Sequence, residues 1–421
     1  MTHDPSHLSI RHWLGTVALA TVISFPRLSV AQTPTRPAPR STSQSLDLAI
    51  NHVGISIGNS PLLTGLRLNW RDENVVRING INVTLWTPGS SPRGEVNGLS
   101  LGLLAPGAGS LNGIVLGGGG IRADRRLTGV SVGGFAVVSH GTIAGITVGG
   151  LAVTADRSIS GITAGTVAVM SRGKLSGLTV AAASVVAAGG ARGITVAGLA
   201  AVIQQRLTGM TFGGLAVVTE GPMTGVTASG LGIAARGDMT GLGVSGLATF
   251  SSGRMRGVHV GGLPTIAEMG VSGVTVGGVA VVSSGDIAGI TVGGGAVMGR
   301  GNILGVTVGG LGVVADGDVR WLALTAGTLT STTDARGLLV GGYRVRAPRL
   351  TGIATSVIQT HAIQLRGIAV GGYNDFREQR GLSIGVYNDA RRLHGVQLGL
   401  VNRARNNSAG FRWLPIVNAH F

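Results

Sequence analysis

Residues 287–302 read IAGITVGGGAVMGRGN and residues 143–158 read IAGITVGGLAVTADRS. Within each unit apolar residues recur at every second position in short runs, which is the period of a β-strand. Glycine pairs such as Gly149-Gly150 and Gly277-Gly278 interrupt the runs, and polar glycine turns such as Ser283-Ser284-Gly285-Asp286 close them. Glycine reaches the positive φ angles of tight corners without a steric penalty.

The unit repeats in register. Glycine stands at position 113 and at every sixteenth residue to 305, thirteen positions in all. The residue after each is apolar, as in Ile114, Ile146, Met210 and Val306, and the third residue after it is mostly valine, as in Val132, Val148 and Val276. The residue two before it is also apolar, as in Leu111, Ile143, Met239 and Ile303. One turn type per sixteen residues is a translational repeat, whereas an up-and-down barrel alternates two turns and repeats over two strands. The apolar parity also shifts at the glycine pair, since Ile146 and Val148 are out of phase with Leu151 and Val153. A corner accounts for the shift; a straight strand would send the two sets to opposite faces.

The expected fold is therefore all-β: a parallel β-solenoid with one sixteen-residue coil per repeat, two short strands per coil and a core of stacked valine, isoleucine and leucine. Working outward, residues 111–346 hold the sixteen-residue repeats, with Trp321 in place of one column glycine. Residues 45–110 are less regular and read as an N-terminal β cap. Residues 347–421 change to a fourteen-residue rhythm set by Gly367, Gly381 and Gly395. Asn374, Asn388 and Asn402 keep step there, as an asparagine ladder in a corner requires, and FRWLPIVNAHF (411–421) reads as a terminal plug.

Three segments carry a resemblance. GLSIGVYNDARRLHGVQLGLVNRARNN (381–407), GLRLNWRDENVVRINGINVTLW (65–86) and NGLSLGLLAPGAGSLNGI (97–114) resemble uncharacterised bacterial surface repeat proteins built from G-[VIL]-x-[VIL]-G-[LV]-x-N units. The match is clearest over residues 365–421; the central coils depart from it, with AVV where that unit has asparagine. The resemblance implies export and surface display and brings no catalytic residues with it.

Export is also expected from the start of the chain. Arg11 and His12 lead into an apolar run from Trp13 to Phe25, followed by the cleavage-compatible Ser29-Val30-Ala31. That is a signal segment over residues 1–31, too short in its apolar part for a membrane span. Residues 32–44 (QTPTRPAPRSTSQ) read as a disordered linker. The chain has no cysteine, which excludes disulfides, thiolate metal sites and a lipid anchor on cysteine. An outer-membrane β-barrel is the alternative fold, motivated by the signal segment, a mean hydropathy of +0.40 and the terminal Phe421. Against it stand the translational period, only 4% aromatic residues for a membrane girdle, and Pro415 in the last strand.

No residue set for catalysis, cofactor or metal emerges. His52, His140, His259, His361, His394 and His420 are not spaced as ligands, and Asp238, Asp286, Asp316 and Asp318 sit in turns. His259 falls in a column otherwise mostly threonine, from Thr147 to Thr307, and reads as an outward ladder position. A flat outward threonine row would suit ice binding, and a polysaccharide-active β-helix enzyme is a further alternative. With a net charge of +16, acidic glycan or lipopolysaccharide is the expected partner, with no specific nucleic-acid binding. Candidate contacts are the turn arginines Arg157, Arg172, Arg192, Arg206, Arg236, Arg254, Arg256 and Arg300. The functional expectation is a non-enzymatic surface scaffold or adhesin-like binding rod, with an outer-membrane barrel protein as the alternative.

Overall fold

The structure is a computed structural model that describes residues 44–89 and 93–421. The expected signal segment 1–31 and all of the expected linker 32–44 but Gln44 lie outside the described residues. What is described is nearly all strand: a parallel β-solenoid of about 19 coils of roughly 16 residues, not a barrel.

Each repeat contributes a long and a short strand, and each kind stacks on its own ladder. Ser158–Gly165 lies parallel between Thr142–Gly149 and Leu175–Ala181, with Gly161 opposite Gly145 and Gly177. The short strand Ala152–Ala155 lies parallel between Ala136–Ser139 and Ala168–Ser171. An up-and-down barrel would pair neighbours antiparallel. Here Val153 pairs with Val137 and Val169, one full coil away on either side.

The column glycines fix this stacking. They hold φ between 101° and 151° from Gly54 to Gly395, a region that side chains other than glycine rarely adopt. A Cβ on Gly289 would lie 2.2 Å from the carbonyl oxygen of Gly273 in the coil before, so the absent side chain is what lets the two backbones meet. Gly273 is in the same position over Gly257, again at 2.2 Å. Trp321 is the exception, held at φ 93° between Gly305 and Gly337. Such a conformation costs a non-glycine residue about 1–3 kcal/mol.

The same column runs through most of the segment expected as a cap. β2 (Val53–Gly58) and β3 (Leu62–Asn69) pair parallel with Gly54 opposite Gly65, and Gly65, Gly80, Gly98 and Gly113 continue the column. Only β1 (Ser45–Ile50) reverses, joined to β2 by Asn51 and His52, both at positive φ (53° and 64°), in a tight two-residue hairpin. At the other end Trp413–His420 lies antiparallel on Gly395–Arg403.

Side-chain direction departs from the sequence expectation. The column two before the glycine goes to the core: Leu127, Ile143, Ile159 and Ile303 are buried, as are Val137, Val153 and Val169 of the short strands. The valine and isoleucine columns after the glycine face outward instead, with Ile146 44% and Val148 39% exposed. Between them Thr147 is 1% exposed and points inward. The ring is narrow, and its remaining inward positions hold small residues such as Gly149 and Ala155.

Polar residues fill both ends of the interior. Near the N-terminus the fully buried Arg67 donates to Asp72 (2.8 Å) and Asn82 (3.0 Å), while Asn69, Asn82 and the Gly107 amide also donate to Asp72. Burial pulls the Arg67 guanidinium below its ordinary pKa, and Asp72 opposes that shift. In the fourteen-residue coils Asn374 donates to Asn388 and Asn388 to Asn402, each at 2.7 Å, forming the expected asparagine ladder.

Two substitutions test the column. Gly273→Ala should destabilise the protein by about 3 kcal/mol, through strain plus the backbone clash. Trp321→Gly should instead raise the thermal midpoint, by removing about 1–3 kcal/mol of strain. Thermal unfolding followed by circular dichroism reads both.

Candidate functional site

One coil shows how the surface is partitioned. From Gly145 onward the outward residues are Ile146, Val148, Leu151, Ala152 and Thr154, after which the chain turns through Asp156, Arg157 and Ser158. Repetition turns each residue into a column. The Leu151 column carries Phe135, Val167, Leu199, Leu215 and Leu231, all exposed, and the Ile146 and Val148 columns lie beside it. Three adjacent apolar columns therefore run along one flank, while the turns form a polar edge.

The flank is large. With coils about 4.8 Å apart and residues about 3.3 Å apart along a strand, it measures roughly 100 Å by 15 Å. The largest apolar patch on an ordinary soluble monomer covers about 300–600 Å². The flank is more than twice that size.

All eight candidate arginines are exposed. Arg192 and Arg256 stand immediately before the column glycine, next to the apolar flank; Arg320, Arg336, Arg366 and Arg380 share that column. Arg157 and Arg206 belong to the turns, as do Arg172, Arg236 and Arg300 at the end of the short strand, and Arg254 opens a long strand. Arg172 meets Asp156 at 3.4 Å and Arg236 meets Glu220 at 3.3 Å, each one coil away. The other six of the eight make no ion pair among the described residues. The carboxylates are drawn to other arginines: Asp318 to Arg320, Asp334 to Arg336 and Arg349, Asp389 to Arg403 and Arg405. A hydrogen bond from the Thr333 hydroxyl, with help from Arg320, holds Asp318 below the usual carboxylate range.

Two expected surface features are interior. The threonine column does not face solvent: Thr147, Thr163, Thr211 and Thr291 are buried, so no flat threonine row is available to order water. His259 shares that column and is 1% exposed, not an outward ladder residue. Gly243 in the preceding coil makes room for it, since a Cβ there would meet the His259 ring at 3.0 Å. Burial pushes the His259 imidazole from 6.5 down to about 4.

Other groupings came from the register. His140 meets Asp124 at 3.3 Å and His361 meets Asp375 at 2.9 Å, sixteen and fourteen residues apart, so the repeat length alone would have found both. No group of three or more metal-ligating side chains forms among the described residues. Tyr373, Tyr387 and Trp413 stack at 5.2 and 6.1 Å, with Arg403 over Trp413. No protein-family model, curated protein or solved structure matches this chain.

The buried histidine gives a prediction with a definite sign. Its folded-state pKa lies below its unfolded value, so as pH falls below 6.5 the unfolded chain takes up the proton first. The associated stability is intact above pH 6.5 and declines toward pH 4, by about 3 kcal/mol in all. His259→Thr, which copies the neighbouring coils, should remove that part of the acid dependence in denaturant titrations at a series of pH values.

Proposed function

We propose that this protein is an exported, non-enzymatic binding rod that lies along an anionic amphiphile surface, such as lipopolysaccharide or anionic lipid. The observation that carries the reading is the long apolar flank of the Ile146, Val148 and Leu151 columns, with Arg192 and Arg256 on its border. Aliphatic side chains enter the apolar layer of such a surface, and guanidinium groups remain at headgroup level, where they pair with phosphate or carboxylate. The rod is thus an extended counterpart of an interfacial amphipathic helix.

Charge argues for this surface over face-to-face pairing of two flanks. In antiparallel pairing the arginine column bordering one flank would meet its own counterpart, and in parallel pairing it would meet apolar residues. Neither arrangement offers anions to Arg192 and Arg256, which border the flank without ion pairs among the described residues. An exported location, as the signal segment and the surface-protein resemblance suggest, would place the rod beside outer-leaflet lipopolysaccharide.

Flotation with vesicles of phosphatidylcholine alone, with added phosphatidylglycerol, or with added lipopolysaccharide tests the reading. Binding should require the anionic component and weaken with salt. Changing Arg192, Arg256 and Arg300 together to glutamine should weaken it by roughly a hundredfold, at about 1 kcal/mol per arginine near the surface. Changing Ile146, Ile162, Ile194 and Ile290 together to serine should abolish it without altering the circular dichroism spectrum. Binding that ignores both sets of changes would overturn the proposal.

A further inference from the structure

The two ends of the solenoid differ. At the C-terminal end the last strand, Trp413–His420, carries Pro415 and Ile416 at φ 67°, and the strand it pairs with is bulged between Gly399 and Asn402. Proline and a bulge are the devices that keep a strand edge from accepting another strand. At the N-terminal end β1 reads SLDLAI, without proline, glycine, lysine or arginine. All six of its residues pair with β2 in unbroken antiparallel register, and among the described residues β2 is its only ladder partner. Among the described residues, one edge of β1 therefore presents backbone N–H and C=O groups that no strand takes up.

The side chains of that strand complement themselves. Leu46, Leu48 and Ile50 are 63%, 67% and 82% exposed, and they stand opposite Ile57, Ile55 and Val53 of β2. Opposed residues of an antiparallel pair share a face, so two β1 strands keep their leucines on one side only if their pairing preserves parity. Centring the pair on Leu48 does so: Leu48 meets Leu48, Leu46 meets Ile50, and Asp47 meets Ala49. No charge is set directly against its like. Asp47 is the only charged residue of β1, and its carboxylate already accepts hydrogen bonds from Ser45 and Ser56.

We propose that β1 is a self-association site, at which the β1 strand of a second copy adds antiparallel and joins two rods end to end about a two-fold axis through Leu48. The contact is the same patch on both copies, so the assembly closes at two; the blunted C-terminal edge gives no route to a filament. The dimer doubles the length of the rod, and pairing of main-chain groups holds it, as when a peptide extends an exposed sheet edge.

The two-fold axis makes the test specific, because residue 48 faces itself. Sedimentation equilibrium of the purified full chain should give twice the chain mass at micromolar concentration. Leu48→Lys and Leu48→Glu should each sediment as single chains, with unchanged circular dichroism and thermal midpoint, since each sets like charges against one another. An equimolar mixture of the two should recover the doubled mass, with dissociation at least tenfold weaker than in either variant alone at low salt. A wild-type chain of single mass throughout, a mixture that stays monomeric, or variants that still dimerise would each overturn the proposal. Serine substitutions of the apolar flank should leave the dimer intact, so failure here is distinguishable from failure of vesicle binding.

Discussion

The backbone-to-backbone approach at the column glycines is the constraint on which everything else depends. With a Cβ built on Gly145, Gly161 or Gly193, the carbonyl oxygen of the coil before lies 2.2 to 2.3 Å away. Glycine permits that spacing because it has no side chain, Trp321 being the one exception from Gly113 to Gly395, and the positive φ at the same site bends the chain at the corner. Once these contacts are in register, every other ring position is too. That is why valine stands over valine, threonine over threonine and asparagine over asparagine along the rod. The step between column members shortens from sixteen residues to fourteen toward the C-terminus, yet the contact survives unchanged, with Gly381 over Gly367 at 2.2 Å.

A ring of this size encloses little. Its core rests on two large columns, those of Ile143 and Val153, and the remaining inward positions are mostly glycine, alanine, serine or threonine, with His259 and Ile203 among the exceptions. Several of those threonines, including Thr147, Thr163, Thr275 and Thr291, bury a hydroxyl without a hydrogen-bond partner, which costs about 1–3 kcal/mol each. Serine and threonine at the end of the short strand fare better, since Thr219 and Ser251 donate to the turn carbonyls of Gln205 and Gly237. Much of the cohesion must come from the two parallel ladders. The outer valines and isoleucines add to it by packing along their columns, as β-branched side chains do on a pleated surface. One chemistry thus supports the ladder and leaves an apolar flank for a partner.

The polar interiors at the ends serve another purpose. Arg67 and Asp72 are an ion pair out of water whose remaining donors and acceptors are nearly all engaged, an arrangement that is costly to break on one side. The asparagine ladder of Asn374, Asn388 and Asn402 also bonds to the carbonyls of Ile384 and Leu398, so a slip of one residue would orphan several groups at once. These networks hold the register where the repeat length changes and the glycine spacing alone is less regular.

The period, the corner glycines, the two strands per coil, the asparagine ladder and the oddity of Trp321 were all legible in the sequence, because each is a matter of spacing. Even the His140–Asp124 and His361–Asp375 pairs follow from adding one repeat length. The facing of each column was not legible. Ile143 and Val153 go in while Ile146, Val148 and Leu151 go out, and alternation cannot tell these sets apart because both are apolar. For the same reason Thr147 and His259 look like surface residues in the sequence and are interior in the fold. Only closure of the ring decides which side of a strand is inside, since it depends on the bend at each glycine and on how much volume the finished coil can hold.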